Sequence, residues 1–498
     1  MKLEKLLSAI PHTVMSGSPR VEIKDLALDS RQVRSGYLFV ALAGETTDGH
    51  LHIRDAVQRG AAAVMVSKPG AYAGNEVCTV AIDGSIHTVT ALAHAFYGQP
   101  ACKLIGVTGT NGKTTTSYLV RALLERAGIP TGLIGTVAYE FGDRHIPASR
   151  TTPDVFELYR LLTYMSAAGA QAVVMEVSSH ALEQQRVGNL LFDVGVFTNL
   201  TQDHLDYHRT MEAYFAAKAK LFSQLRGADA KGVERAAVIA IDDDYGRRLA
   251  AQVRAAGIGV TTFGAAADAD VRAAGIVVSP SLCEFDLHWR GRPTQRVQLN
   301  MIGRHNISNC IGALAAAAAL GISPEEMVSG LTRMPSVPGR LEFIENSRGF
   351  LVVVDYAHTD DALHKALICL RELKPRKLIV VFGCGGDRDK TKRPKMGRVA
   401  EELADLAIIT SDNPRSENPA AIIVDIQAGM SKKTEVVCPD RRAAIAAAMD
   451  AARPGDIVLI AGKGHETYQI INRVFYDFDD RVVARELVRA KEGERVHA

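Results

Sequence analysis

The chain has 498 residues, too many for one core and enough for roughly three domains at ~100–200 residues each. An apolar share of 47% excludes a disordered chain, and a formal net charge of +2 excludes the concentrated basic face of a dedicated nucleic-acid binder. No apolar stretch reaches about 18 residues, so no membrane span is expected. The start, MKLEKLLSAIPHTVMSG, lacks an apolar signal region and reads as an amphipathic first helix through Leu3, Leu6, Leu7 and Ile10. The seven cysteines are scattered with no CxxC pair, which predicts reduced thiols in a cytoplasmic protein; Cys384 reads as a packing residue.

Residues 1–100 carry short apolar runs (VEIKDLAL, GYLFVALAG, AAAVMVS, VCTVAI) around a helical stretch near His50–Arg59, the pattern of a small α/β module. From residue 101 the runs lengthen and alternate with helices: KLIGVTG, TGLIGTV, AVVMEVSS, VGVFTNL, AAVIAID and GVTTFG. That alternation predicts a parallel sheet with crossover helices. Residues 276–302 switch to polar–apolar alternation and predict an antiparallel hairpin, followed by an Ala-rich helix. MPSVPGR at 334–340 reads as a linker, with Pro338-Gly339 as its hinge. FLVVVDYAH, KLIVVFGCGG, LAIITSDN, TEVVCP and DIVLIAGKG then predict a doubly wound third domain. The boundaries fall at 1–100, 101–335 and 336–498, and the tail EGERVHA is expected to be disordered.

The strongest local signal is VTGTNGKTT at 107–115, between a strand and a helix. Gly109 and Gly112 let the backbone of residues 109–115 approach phosphates, and successive N–H groups can point at them. Lys113 can reach the β- and γ-phosphates, and Thr114 or Thr115 can offer a hydroxyl to Mg²⁺. The usual first glycine of this loop is replaced by Val107. Switches, kinases, motors and ligases all use such a loop, so it implies a bound nucleotide and no particular reaction.

Glu176 ends the strand run AVVME, where a Mg²⁺ ligand beside a phosphate loop would sit. NLTQDHLDYH crowds Asp203, His204, Asp206 and His208 together. Zinc is conceivable there, but His204 near Mg²⁺ and His208 as a structural residue is the preferred reading. In MEAYFAAKAKLF, Lys218 and Lys220 point to different faces of one helix, and by periodicity alone Lys218 reads as a surface residue.

TGTNGKTT, MEVSSHAL, TNLTQDHLDYH, YFAAKAKLF, GRHNISN, PGRLE, DYAHT, FGCGGDRDKTKRP, SDNPR and GKGHE occur in this order. In this the chain resembles the Mur ligases nearly end to end, and within them the members that add meso-diaminopimelate to UDP-N-acetylmuramoyl-L-alanyl-D-glutamate. The resemblance implies three domains: UDP-substrate-binding, central ATPase and amino-acid-binding. It implies that Leu28, Ser30 and the loop Glu45-Thr46-Thr47 hold the UDP part, and that Thr151, Thr152, Ser178, Gln184 and Arg186 contact the muramoyl-dipeptide. ATP contacts would come from Gly109, Thr110, Asn111, Gly112, Lys113, Thr114, Thr115, Asn306, Arg340, Asp355 and His358.

The resemblance also makes Lys218 a carbamate formed with carbon dioxide, which reverses the periodicity reading. Two Mg²⁺ ions are implied, one near Thr114 and Glu176, the other near the Lys218 carbamate and His204. Arg388, Asp412, Asn413, Pro414, Arg415, Gly462 and Glu466 would hold the amino acid, with Arg415 pairing the distal carboxylate that L-lysine lacks and Glu466 the ammonium. One departure is Asp360, where the family commonly has proline after DYAHT. A monomer is expected. A sister ligase adding D-alanyl-D-alanine, a folate polyglutamate synthase and a nucleotide-dependent switch are the rival readings.

Overall fold

Short apolar runs near the N-terminus become strands because each can bury both faces between flanking helices. Asp25–Ala27, Tyr37–Ala41, Ala63–Val66 and Cys78–Ala81 pair in parallel, and Thr13–Ser16 adds an antiparallel edge. The computed structural model describes residues 1–44, 47–225, 235–279, 282–334, 336–432 and 435–496. It divides the chain into two compact units, Met1–Asp270 with Gly312–Pro324, and Val271–Ile311 with Glu325–Ala498.

The first unit contains that small sheet and a larger parallel one. In the larger, Lys103–Thr108 lies between Val194–Phe197 and Ala172–Glu176. Ala236–Ala240 and Gly259–Gly264 extend one side, Thr131–Ile134 the other, and an antiparallel meander of Ala138–Phe141 and Arg144–Pro147 ends it. The β-branched runs of the central strands are almost wholly buried, as expected for parallel strands covered on both faces. Arg160 ties the two sheets together: its Nε lies 2.7 Å from Asp25 Oδ2, and its Nη2 donates to the Leu26 carbonyl (2.7 Å).

The second unit begins with three antiparallel strands, Val271–Val278, Cys283–Trp289 and Gln295–Leu299. The polar–apolar alternation predicts a hairpin; the structure has one more strand, because Val271–Val278 pairs as well. A six-stranded sheet follows in the order Glu342–Ile344, Leu351–Asp355, Ile457–Ala461, Leu378–Phe382, Leu406–Ile409, Val436–Val437, parallel except at the first edge. Separate apolar clusters cover its two faces, one with helices Asp360–Arg371, Lys392–Leu403 and Pro419–Gln427, the other with Arg441–Ala451 and Asp480–Val496. This is the doubly wound arrangement expected.

Two expectations concern the linker and the tail. Gly339, in the expected hinge, is closely packed: at φ +64 a Cβ would lie 2.2 Å from Gly464 C, and its amide donates to Glu342 Oε2 (2.9 Å). The tail is not disordered up to Val496, since the last helix runs to that residue. Asp360 fits without strain as the first residue of helix Asp360–Arg371, capped by Thr359, where an acid favours the helix dipole much as proline favours the geometry. All seven cysteines are free, and Cys384 is buried with its Sγ 3.5 Å from Met396 Sδ. Among the described residues no helix is long and apolar enough to cross a membrane.

A buried ion pair holds the last helix to the sheet. Arg441 Nε and Nη2 donate to Asp480 (2.7 and 2.6 Å), Nη2 also reaches the Ala461 carbonyl (2.9 Å), and both side chains have no exposed surface. Replacing Asp480 by Asn strands a buried guanidinium, and we expect a loss of about 3–5 kcal/mol in urea unfolding of this unit. The double variant Arg441→Met/Asp480→Leu is expected to lose clearly less.

Candidate active site

The phosphate-loop strand Lys103–Thr108 gives way to helix Lys113–Arg126 across residues 109–112. Gly109 (φ +144) and Gly112 (φ +86) occupy backbone space that L side chains avoid, and a Cβ on Gly109 would fall 1.9 Å from Thr198 Oγ1. The loop is stitched to residues 198–201. Thr110 N donates to the Asn199 carbonyl (2.9 Å), Asn111 N to Asn199 Oδ1 (3.0 Å), and Thr198 Oγ1 to the Asn111 carbonyl (2.6 Å). Thr201 N donates to Thr110 Oγ1 (3.0 Å). The amides of Thr110 and Asn111 therefore serve the loop itself, and the helix start at Gly112–Thr115 is what presents N–H donors to an anion. Lys113 lies folded over the loop, its Nζ donating to the carbonyls of Gly109 (2.9 Å) and Thr110 (2.8 Å).

Glu176 pairs in register with Val107, which carries its carboxylate to the loop. It is buried, not a solvated strand end. Its Oε2 accepts from Thr114 Oγ1 and Thr136 Oγ1 (both 3.0 Å), and its Oε1 from Thr136 N (2.8 Å).

Lys218 is 1% exposed, while Lys220, two residues on, is exposed and paired with Glu183 (2.6 Å). Lys218 Nζ donates to the Gly109 carbonyl (2.7 Å) and lies 4.5 Å from the Tyr214 ring centroid. Burial, then the nearby Lys113 charge, holds this amine well below the ordinary lysine range. His204 sits in a left-handed turn (φ +53), its ring 4.8 Å from that of His180 and 6.1 Å from Tyr214; burial lowers it, with Lys113 and Lys218 among its electrostatic neighbours. His208 is buried and shares a hydrogen bond with Ser179 Oγ (2.9 Å), a structural position.

The residues expected to meet the muramoyl-dipeptide come together beside Glu176. Thr151 Oγ1 is 3.1 Å from Thr136 Oγ1. Thr152 Oγ1 donates to the Glu176 carbonyl (2.9 Å) and accepts from Ser178 N (3.1 Å). Arg186 donates to Gln184 Oε1 and to the Thr152 carbonyl (3.4 Å). Leu28 and Ser30 follow the end of Asp25–Ala27, and Thr47 follows Tyr37–Ala41, the parallel neighbour, so they share one sheet edge; Thr47 Oγ1 is bonded to His52 Nε2 (3.2 Å). Glu45 and Thr46 lie outside the described residues.

In the second unit Asp355 ends its strand. Its carboxylate accepts from Leu341 N (2.8 Å) and Ala357 N (2.9 Å); burial raises its pKa and Arg340 opposes the rise. Arg340 lies over the Tyr356 ring at 4.9 Å, flanked by His358 and His465, which stack on Tyr356 at 4.5 and 4.8 Å. Burial pushes His358 down to about 4 and His465 to about 3, so both are neutral imidazoles. Asn306 is buried, donating to the Ile302 carbonyl (2.7 Å) and accepting from Asn309 (3.2 Å).

The remaining group forms a buried polar knot. Asn413 Nδ2 donates to Glu466 Oε2 (2.8 Å), and Asp412 lies against Gly462, whose added Cβ would be 2.7 Å from Oδ2. Pro414 and Arg415 lead out of it; Arg415 adopts φ +53, and its Nη1 donates to the Gly386 carbonyl (2.8 Å). Arg388 is not drawn into the knot: its Nη1 donates to the Asp387 carbonyl (3.1 Å). Burial raises the pKa of Glu466, whereas Lys463 and Arg441 outweigh burial at Asp412 and hold it below the usual range.

Three segments match models of Mur ligase domains: residues 22–95 the family's catalytic domain, 107–317 the middle domain and 339–464 the glutamate ligase domain. The protein of Geobacter metallireducens named UDP-N-acetylmuramoyl-L-alanyl-D-glutamate--2,6-diaminopimelate ligase is 46% identical, over 97% of each chain. The chain belongs to the Mur ligase family. A like-named protein of Geobacillus kaustophilus is 44% identical over 99% of this chain and 100% of its own. A solved structure of a ligase of that name matches at TM-score 0.67 and 33% identity, covering 98% and 99% of the two chains. MurF from Acinetobacter baumannii, at 21% identity, shares the fold at TM-score 0.67.

Sequence reasoning missed several residues that this Mur ligase brings to the site: Thr136, Thr198, Asn199, Tyr214 and Lys463. Thr198 and Asn199 carried a signal, since they end the apolar run VGVFTNL at the same sheet edge as the phosphate loop. Thr198→Val removes the donor to the Asn111 carbonyl and is expected to weaken binding of a fluorescent ADP analogue by roughly tenfold. An unchanged Kd would mean that the loop keeps its shape without that bond.

Proposed function

We propose that the chain joins meso-diaminopimelate to UDP-N-acetylmuramoyl-L-alanyl-D-glutamate with consumption of ATP, in the cytoplasm, and that it does so across three domains bounded near residues 100 and 335. The observation that carries this reading is the pairing of two features in one chain. One is a phosphate loop with Glu176 and Lys218 beside it; the other is the polar knot of Asp412, Asn413, Lys463 and Glu466, with Arg415 two residues after Asn413. In that knot the buried Lys463 lies 3.6 Å from Asp412 and 3.5 Å from Glu466, one buried cation beside two carboxylates, while Arg441 is paired with Asp480. A buried excess of negative charge is costly unless a cation fills it, and a substrate ammonium at Glu466 would do so. A nucleotide switch has no use for such a pocket.

A carboxylate acylates poorly because oxide is its leaving group. In the proposed reaction the D-glutamate γ-carboxylate attacks the γ-phosphorus, ADP leaves, and an acyl phosphate forms. The diaminopimelate amine then adds to the acyl carbon, and phosphate departs from the tetrahedral intermediate. Lys113 would leave its carbonyl partners and neutralise the approaching polyanions, while the helix start at Gly112–Thr115 holds the phosphates. Thr151, Thr152, Ser178, Gln184 and Arg186 would fix the dipeptide end beside Glu176, and Arg340, Asp355, His358 and Asn306 the nucleotide.

Among the described residues no group of three or more His, Cys, Asp and Glu side chains is placed for a metal ion. Thr114 and Glu176, 3.0 Å apart, instead suit Mg²⁺, which commonly takes one or two carboxylates and fills its shell with phosphate and water. Mg²⁺ there would offset charge on the phosphates. Lys218 fits carbamylation: a primary amine adds carbon dioxide only when neutral, and burial beside Lys113 favours that form. His204, its neighbour, would stand with a carbamate at a second such ion.

Phosphate release with ATP, Mg²⁺ and the UDP-dipeptide is expected to need meso-diaminopimelate, with L-lysine at least ~100-fold poorer in kcat/KM. Release that ignores the amino acid would replace the ligase with a switch. Turnover with L-lysine would remove Arg415 as the selector. A second outcome follows from Glu466. Its pKa is raised, so it loses charge at a higher pH than an ordinary carboxylate; KM for the diamino acid should climb as pH falls from 7 towards 5. A Glu466→Gln enzyme should show a high KM that is flat over that range.

A further inference from the structure

Lys463 has no exposed side-chain surface, yet its Nζ lies beside two carboxylates. Its Nζ donates to Asn413 Oδ1 (3.0 Å) and to the Tyr468 carbonyl (2.6 Å), and it lies 3.5 Å from Glu466 Oε2 and 3.6 Å from Asp412 Oδ1. Three chain segments meet on this one atom: the loop after Leu406–Ile409, the loop after Ile457–Ala461, and the hairpin Tyr468–Ile471 with Val474–Asp477.

An amide side chain can face either way, and its partners decide which. Asn413 Oδ1 accepts from Lys463 Nζ and from Ile470 N (2.9 Å). Both partners are donors, so the oxygen must face them and Nδ2 must face Glu466, where it donates at 2.8 Å. That bond holds Glu466 Oε2. Among the described residues no side chain bonds Oε1. The same hairpin holds the backbone of Arg415: Arg415 N donates to the Ile470 carbonyl (3.0 Å), and Asn472 N to the Arg415 carbonyl (2.7 Å).

We propose that Lys463 is a positioning residue for the amino-acid pocket, setting the orientation of Asn413 and through it the Glu466 carboxylate, and fixing the hairpin that holds Arg415. The proposal rests on the ligase reading above and adds a residue to it. Lys463 touches no substrate. It acts by turning one amide and by opposing the rise that burial imposes on one carboxylate. Lysine suits this because its compact charge donates three ways from a single atom.

The test compares Lys463→Met and Lys463→Gln with the wild-type enzyme by steady-state phosphate release, varying each substrate in turn. Wild-type turnover that depends on meso-diaminopimelate must be seen first; its absence defeats the ligase reading, whatever the variants do. Given that turnover, we expect both variants to fold, with Lys463→Met raising KM for meso-diaminopimelate by roughly 10- to 100-fold. Its KM values for ATP and the UDP-dipeptide should stay within about twofold. Lys463→Gln, which can still donate to Asn413 Oδ1, should recover part of the loss. The pH dependence of the diaminopimelate KM should also shift upward in both variants, because Glu466 loses its cation. A purely structural role predicts equal damage to all three KM values and an unmoved pH profile. That result, or variants that do not fold, or an unchanged diaminopimelate KM, would overturn the proposal.

Discussion

Two lysine side chains reach the same carbonyl oxygen, that of Gly109, from Lys113 and Lys218 at 2.9 and 2.7 Å. Two ammonium ions cannot share one neutral acceptor cheaply in a buried place. Lys113 is the more accessible of the two; burial, then the Lys113 charge, holds the Lys218 amine well below the ordinary lysine range. Much of the first unit follows from this constraint. The loop must carry its carbonyls inward at residues 109 and 110, which requires the φ of +144 at Gly109. Thr198, Asn199 and Thr201 must supply the bonds that a loop so turned cannot make with itself. Tyr214, whose hydroxyl is 3.2 Å from Thr110 Oγ1, offers its ring to Lys218.

The second unit solves the opposite problem. Asp412 is buried and Glu466 half-buried at a parallel-sheet edge, and the cations that offset them, Lys463 and Arg441, are fully buried. Arg441 answers chiefly to Asp480 and thereby fastens the last helix. Lys463 is left to serve both carboxylates, and it does not neutralise both. Arg393 shows how firmly the neighbouring loops are held: fully buried, it donates to Glu417 (2.8 and 3.0 Å) and Asp425 (2.8 Å), and Glu417 also accepts from Asp387 N (2.6 Å). Loops braced so heavily are held before any ligand arrives, which in the proposed reaction would make selectivity a matter of preset geometry.

What the sequence revealed was what local pattern can carry. The phosphate loop was legible because strand, glycines, lysine and threonines stand within nine residues, and Glu176 because a carboxylate closed an apolar strand. The doubly wound second sheet was legible in five apolar runs. Lys218 was not: a lysine in an apolar helical pattern reads as one that snorkels to water, and only the family resemblance moved it inward. Thr136 and Thr198 were invisible as partners because their bonds span 40 and 87 residues of sequence. The third antiparallel strand was missed because Val271–Val278 alternates less regularly, with a register shift between Ala274 and Val277.

Arg415 illustrates the gap between motif and mechanism. As a tetrapeptide, DNPR says that an arginine is available. The structure adds that its backbone is left-handed, that its N–H and carbonyl are both bonded to the hairpin at 470–472, and that one guanidinium nitrogen rests on the Gly386 carbonyl. Its backbone is fixed by the hairpin and its guanidinium is anchored at one nitrogen. In the proposed reaction it would pair with a carboxylate delivered at a set distance from an ammonium at Glu466, a distance that the substrate's carbon chain would decide. Selection between diamino acids would then rest on two charges set apart in the fold, with Lys463 and the hairpin as their frame.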